Sequence, residues 1–189
     1  KQLLCALSHT PLKVEFEWIK TATYQSKNTS KEHLSLFYKN FDQIKNQKFD
    51  GMIITGAPIE NMEFSHVKYW EELTQIMDWS KKNVGAVLYL CWAAQAALYH
   101  FFGIEKYPLE QKCCGVFAHQ IVTPKLKLFR GMDERIVVPH SRYTEIRKDD
   151  MIKEKKVKVI CESSTVGIHM AIANYGKMLF LTGHPEYDL

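Results

Sequence analysis

The sequence predicts an α/β domain, a mostly parallel sheet with helices on both faces and an antiparallel flank in its second half. Three observations carry this. The apolar runs Phe49–Thr55 and Val84–Leu90 read as strands buried on both sides. Stretches with helical spacing separate and follow them, in the strand–helix–strand rhythm of parallel sheets. Beyond Gly115 the chain breaks into short strand candidates parted by turns.

Taken in order, Leu3–Ser8 reads as the end of a helix halted before Pro11. Leu12–Ile19 alternates apolar and charged residues, which predicts a strand with one wetter face. Ser30–Asn40 follows a Ser cap, with Leu34, Phe37 and Phe41 on one helical face. Val67–Lys82 sets Tyr69, Leu73, Ile76, Met77 and Ser80 at spacings of three and four, an amphipathic helix. Val84–Leu90 runs without a loop into the helix Trp92–Phe102, which Gly103 ends. Gly115–Pro124, Lys127–Phe129, Arg135–Val138, Val157–Glu162, Gly167–Asn174 and Met178–Thr182 form the expected flank, the last returning to the sheet. The charged stretch Arg147–Lys158 reads as a solvated face.

Composition narrows the function. Among 189 residues, 25 Lys and Arg face 21 Asp and Glu, a net charge of +4. That is too mild for nucleic acid, and the basic residues lack interleaved aromatics. An apolar share of 46% excludes general disorder, while no run is long enough to span a membrane. Lys1–Leu7 has a basic start but no long apolar core, so it does not read as a signal peptide. The five cysteines, Cys5, Cys91, Cys113, Cys114 and Cys161, include no C-x-x-C spacing. Free thiols in the cytoplasm are therefore expected.

One cysteine is informative. Cys91 stands where a buried strand turns directly into a helix, a junction that exposes its side chain and aims a helix N-terminus at the sulphur. Such a place favours a thiolate nucleophile, and a buried structural thiol at a strand end is the alternative. His184 follows the strand Met178–Thr182, at a strand C-terminal end where open sheets carry their sites. Gly183 and Pro185 fix its backbone, and Glu186 is placed to accept from one ring nitrogen. Turn residues beside a surface Glu are the alternative there. Together, Cys91, His184 and Glu186 suggest an acyl-transfer site.

Cys91 on a strand-to-helix turn with His184-Pro185-Glu186 resembles the class I glutamine amidotransferase fold, which is flavodoxin-like. The glycines that amidotransferases place around the Cys are replaced here by Tyr89 and Ala93. The fuller text comprises Phe49-Asp50-Gly51, Thr55-Gly56-Ala57-Pro58, Tyr69-Trp70, Cys91 through Leu98, Pro139-His140-Ser141-Arg142-Tyr143 and Thr182 through Asp188. It resembles the homoserine O-acyltransferase family, whose members use succinyl or acetyl donors, from about Leu12 to the last residue.

The resemblance implies Cys91 as acyl-thioester nucleophile, His184 as proton acceptor and Glu186 as its orienting carboxylate. Lys112 falls at a substrate-binding lysine and Ser141 at a substrate-contacting serine; a surface lysine and a turn hydroxyl are the alternatives. Arg142 carries a guanidinium fork suited to the homoserine carboxylate. Glu60 occupies the position tied to donor choice, where Glu goes with acetyl and Gly with succinyl. A Glu fills space and repels the succinyl carboxylate; a loop side chain facing solvent is the alternative. The oxyanion would be held by backbone N–H groups of Trp92 and of the Gly56-Ala57 loop.

The expected activity is acetyl transfer from acetyl-CoA, a co-substrate, to L-homoserine in methionine biosynthesis. No bound cofactor, metal, nucleic-acid or membrane partner is expected, and a homodimer is allowed. Homoserine O-succinyltransferase, serine O-acetyltransferase, a glutaminase subunit and a non-catalytic remnant stand as alternatives. The expected organisation is one catalytic domain over residues 1–189, without the N-terminal strand and C-terminal helical region of the family.

Overall fold

The computed structural model describes residues 2–23 and 37–187. Five α-helices occur among them: α1 (Gln2–Ser8), α2 (Phe41–Ile44), α3 (Trp70–Asn83), α4 (Trp92–Phe102) and α5 (Lys148–Lys153). The strands are β1 (Trp18–Lys20), β2 (Tyr38–Asn40), β3 (Phe49–Ile54), β4 (Val84–Leu90), β5 (Tyr107–Ile121), β6 (Arg135–Glu145), β7 (Val157–Ser163), β8 (Gly167–Ala173) and β9 (Met178–Leu181).

A seven-stranded sheet runs in the order β3-β4-β9-β8-β7-β5-β6, and β1 and β2 pair separately. Strands β3, β4 and β9 are parallel, while the remaining neighbours pair antiparallel. The antiparallel flank thus takes four strands, a larger share than the sequence suggested. Short turns impose this between β7, β8 and β9, since a parallel pairing needs a crossover of a dozen residues or more.

Strand β4 explains why both faces are covered. Val87 and Tyr89 enter one core, whereas Leu88 and Leu90 enter the other. The first core is closed by Leu73 and Met77 of α3 and by the alanines of α4; the second takes Leu3 of α1 and Phe129. Ala93, Ala94, Ala96 and Ala97 are wholly buried, so α4 lies close against β4 and β9. Gly103 closes α4 with φ 66°, a left-handed cap.

Several expectations are corrected. Of the strand expected over Leu12–Ile19, only Trp18 and Ile19 are in β1. Its alternate residues Leu12, Val14, Phe16 and Trp18 stay exposed because β1 has only the three-residue β2 as partner. The helix expected over Ser30–Asn40 lies mostly outside the described residues, and its last three form β2. Lys127–Phe129 is a 3-10 turn, not a strand: Phe129 N–H bonds Leu126 O at 3.0 Å, which sinks the Phe129 ring into the second core. Within Arg147–Lys158, α5 is mostly solvated but buries Met151.

Candidate active site

The parallel strands β4 and β9 end side by side, and each carries one half of the site. Cys91 follows β4 at φ 51° and ψ −119°, a left-handed backbone that L residues seldom adopt. The turn is held on both sides: Cys91 N–H donates to Leu181 O at 2.7 Å, and Ala94 N–H donates to Cys91 O at 3.0 Å. Trp92 opens α4, so its N–H has no intrahelical acceptor. A Cβ on Gly56 would stand 3.2 Å from both Cys91 Cβ and Trp92 N. A side chain there would crowd the turn, so glycine suits the close approach of the Gly56-Ala57 loop beside the Trp92 N–H.

After β9, Thr182 is anchored to β8 by its N–H to His169 O at 2.9 Å and its hydroxyl to Ile168 O at 2.6 Å. Gly183 is enclosed by β6: a Cβ would meet Val138 Cγ1 at 2.8 Å, His140 Nε2 at 2.9 Å and Pro139 O at 2.9 Å. His184 N–H then donates to Pro139 O at 2.8 Å. Its Nδ1 pairs with Glu186 Oε1 at 2.9 Å, and the Tyr187 ring stacks on the imidazole at 4.3 Å. The Cys91 side chain also acts on the imidazole, favouring its charged form. Burial pushes the His184 pKa down, but neighbouring Cys91 and Glu186 outweigh it and lift the value to about 9. The structure thus pairs His184 with Glu186 and brings Cys91 close enough to act on the imidazole; Asp188 of the same motif lies outside the described residues.

The other expected residues surround this chain unevenly. Glu60 is half-buried, and its backbone carbonyl is held by the Lys106 ammonium, which also donates to Met62 O at 2.7 Å. Burial raises the Tyr187 pKa, and the charges of Glu186, Cys91, Cys114 and Glu60 raise it further. Lys112 is exposed with its ammonium 5.2 Å from the centre of the Tyr143 ring. Ser141 is half-buried opposite Cys114, two residues along β6 from the carbonyl that holds His184. Arg142 points the other way and is only 3% exposed. Its fork donates to Thr144 O at 2.7 Å, Val166 O at 2.5 Å and His140 Nδ1 at 3.4 Å. Among the described residues no cluster of three His, Cys, Asp or Glu could hold a metal ion. No helix there is long and apolar enough to cross a membrane.

Comparison with known proteins places this geometry. The sequence pattern of the family described as homoserine O-succinyltransferase matches residues 1–189. The chain belongs to the homoserine O-succinyltransferase family. It is 50% identical over 186 residues to a homoserine O-acetyltransferase of Bacteroides thetaiotaomicron, covering 98% of this chain and 61% of that protein. A homoserine O-acetyltransferase of Azobacteroides pseudotrichonymphae is 54% identical over 181 residues, 96% of this chain and 58% of its own length. The chain thus spans about three fifths of these relatives. Among solved structures, a glutamine amidotransferase from Thermotoga maritima aligns with a TM-score of 0.63 at 14% identity, covering 91% of this chain and 77% of that one. Another from Methylobacillus flagellatus gives 0.60 at 12%, covering 80% and 59%. At such identities the likeness is one of fold, the fold expected from the Cys91 turn.

For this member of the homoserine O-succinyltransferase family, sequence reading missed two features near the site. Lys106 clamps the Glu60 loop through backbone carbonyls, a contact with no sequence pattern. His119, His140 and His169 pack together behind His184, their ring centres 5.0–5.7 Å apart. Here a signal was present: His140, Arg142 and Thr144 make a polar stripe at strand period, on the buried face of β6.

Proposed function

We propose that the protein is a homoserine O-acyltransferase that takes acetyl from acetyl-CoA through a thioester on Cys91. The observation that carries this is the meeting of Cys91, on a strained strand-to-helix turn, with a His184 paired to Glu186, in a chain of this family. A cationic His184 against the sulphur suits a thiolate–imidazolium couple. The thiolate attacks the thioester carbonyl, and the oxyanion is held by the N–H groups of Trp92 and Ala57. The C–S bond to CoA breaks, and the CoA sulphur takes the His184 proton. His184, now neutral, removes the proton from the homoserine hydroxyl, whose oxygen attacks the acyl-enzyme. O-Acetylhomoserine leaves and Cys91 is again a thiolate beside an imidazolium, so protons and electrons balance.

Glu60 supports acetyl as the donor group. Its loop is pinned by Lys106, and its charge is felt at Tyr187 beside His184, so a carboxylate here would repel the end of a succinyl chain. Lys112 and Ser141, on the hairpin beside His184, are the candidates for contacting homoserine.

The test follows free CoA and intact mass with acetyl-CoA or succinyl-CoA, with and without homoserine. The expected result is an acetyl adduct that homoserine discharges and that Cys91→Ala abolishes. Ammonia from glutamine without an adduct would overturn the reading in favour of a glutaminase. Glu60→Gly should raise succinyl-CoA turnover relative to acetyl-CoA at least about tenfold, since it removes one like-charge contact; an unchanged ratio would remove Glu60 from donor choice.

A further inference from the structure

The β5–β6 hairpin, which carries Lys112, Ser141 and the carbonyl that holds His184, is weakly stitched to the rest of the sheet. β5 meets β7 through only two residue pairs, Gln120 with Glu162 and Ile121 with Cys161. In the wedge between them stand His119, His140, Arg142, Thr144 and His169, each 3% exposed or less. Such a polar filling is costly unless it is bonded, and here His119, His140, Arg142 and Thr144 all are. Arg142 reaches Val166 O in the β7–β8 turn, and Thr144 exchanges two hydrogen bonds with Gln95 of α4.

The histidines bond in one direction. His119 Nδ1 lies 2.9 Å from Phe117 O, so it donates there and its Nε2 is left to accept. His140 Nε2, 3.1 Å away, must then donate to His119 Nε2, and its Nδ1 accepts from Arg142 Nε at 3.4 Å. This assignment requires neutral rings. Burial and the nearby Arg142 push His140 down to about 3, and burial likewise lowers His119.

On the His184 side this network meets the site through His140. A Cβ on Gly183 would stand 2.9 Å from His140 Nε2, and the next residue is His184. We propose that His140 is a positioning residue for the Cys91–His184 couple: locked in one tautomer between Arg142 and His119, it is the wall against which Gly183 closes, and it fixes where His184 stands. Arg142 then serves the wall rather than a substrate carboxylate. The proposal rests on reading Cys91 and His184 as a reacting couple. The groups facing His184 are Cys91 from the turn, Glu186 and Tyr187 from its own loop, and His140 from β6 with Arg142 behind it.

Alkylation of Cys91 by iodoacetamide, quantified on its peptide by mass across a pH series, tests this without either proposed substrate. Two variants keep a polar head in the wedge. His140→Gln is long enough to reach the Gly183 wall; His140→Asn can accept from Arg142 but falls short of it. The expected outcome is a profile for His140→Gln within about threefold of the parent, and for His140→Asn a rate near neutral pH at least about tenfold lower with a shifted inflection. Equal profiles for the two variants would overturn the proposal, as would a rate loss that merely tracks Tm. An unaltered profile in His184→Ala would instead remove the couple itself, and the functional reading with it.

Discussion

The pairing of His184 with Glu186 decides which proton the site can move. With Nδ1 fixed on Glu186 Oε1, the imidazole presents its other nitrogen to Cys91, and the carboxylate favours the charged ring. Glu186→Gln removes that preference, so the His184 pKa should fall below about 9. The acylation rate near neutral pH should drop at least about tenfold, as for other lost orienting partners. A proton-resonance titration of His184 checks the first statement and a CoA-release burst the second. An unmoved titration would show that Cys91 alone sets the charge. This residue-scale chemistry was legible in sequence because Gly183, His184, Pro185 and Glu186 are adjacent. The link to Cys91 was not local, yet each residue ends a buried strand, and parallel strands bring such ends together.

At the scale of elements, backbone approach separates two kinds of glycine. Gly85 lies in β4 with Asp50 O only 2.6 Å from where a Cβ would stand, so its replacement must push β3 away. Gly103 has open space around it, and there only the positive φ resists a side chain. Gly103→Ala should therefore cost about 1 kcal/mol, and Gly85→Ala more, both read from urea midpoints at unchanged m-value. Equal losses would mean that β3 yields freely. Apolar runs and helical spacing gave β3, β4, α3 and α4 within a few residues, because burial on both faces leaves little choice. Sequence reading failed where tertiary contacts decide. Leu12–Val14–Phe16 alternates as a strand but finds no ladder partner, and Lys127–Phe129 coils to bury one ring.

For the whole molecule, the buried histidines and the site histidine act at opposite ends of the pH scale. Burial, then neighbouring His119 and His140, lower His169 to about 3, and His140 is lowered similarly by burial and Arg142. Unfolded, each would titrate near 6.5. Between those values the unfolded chain binds more protons, so stability falls as pH drops from about 6.5 toward 3. His184 works the other way: its raised value of about 9 lends stability that is complete below about 6.5 and lost as pH rises through 9. The best test is His169, because its Nδ1 is buried without a partner and it lies behind the couple rather than in it. In His169→Phe the acid-sensitive group is gone and an aromatic ring remains in the wedge. Urea unfolding at pH 7.5 and pH 5 should then differ by less than in the parent, by roughly 1–2 kcal/mol. The same difference in both proteins would mean that His169 is charged in the folded state, and the neutral wedge would have to be abandoned.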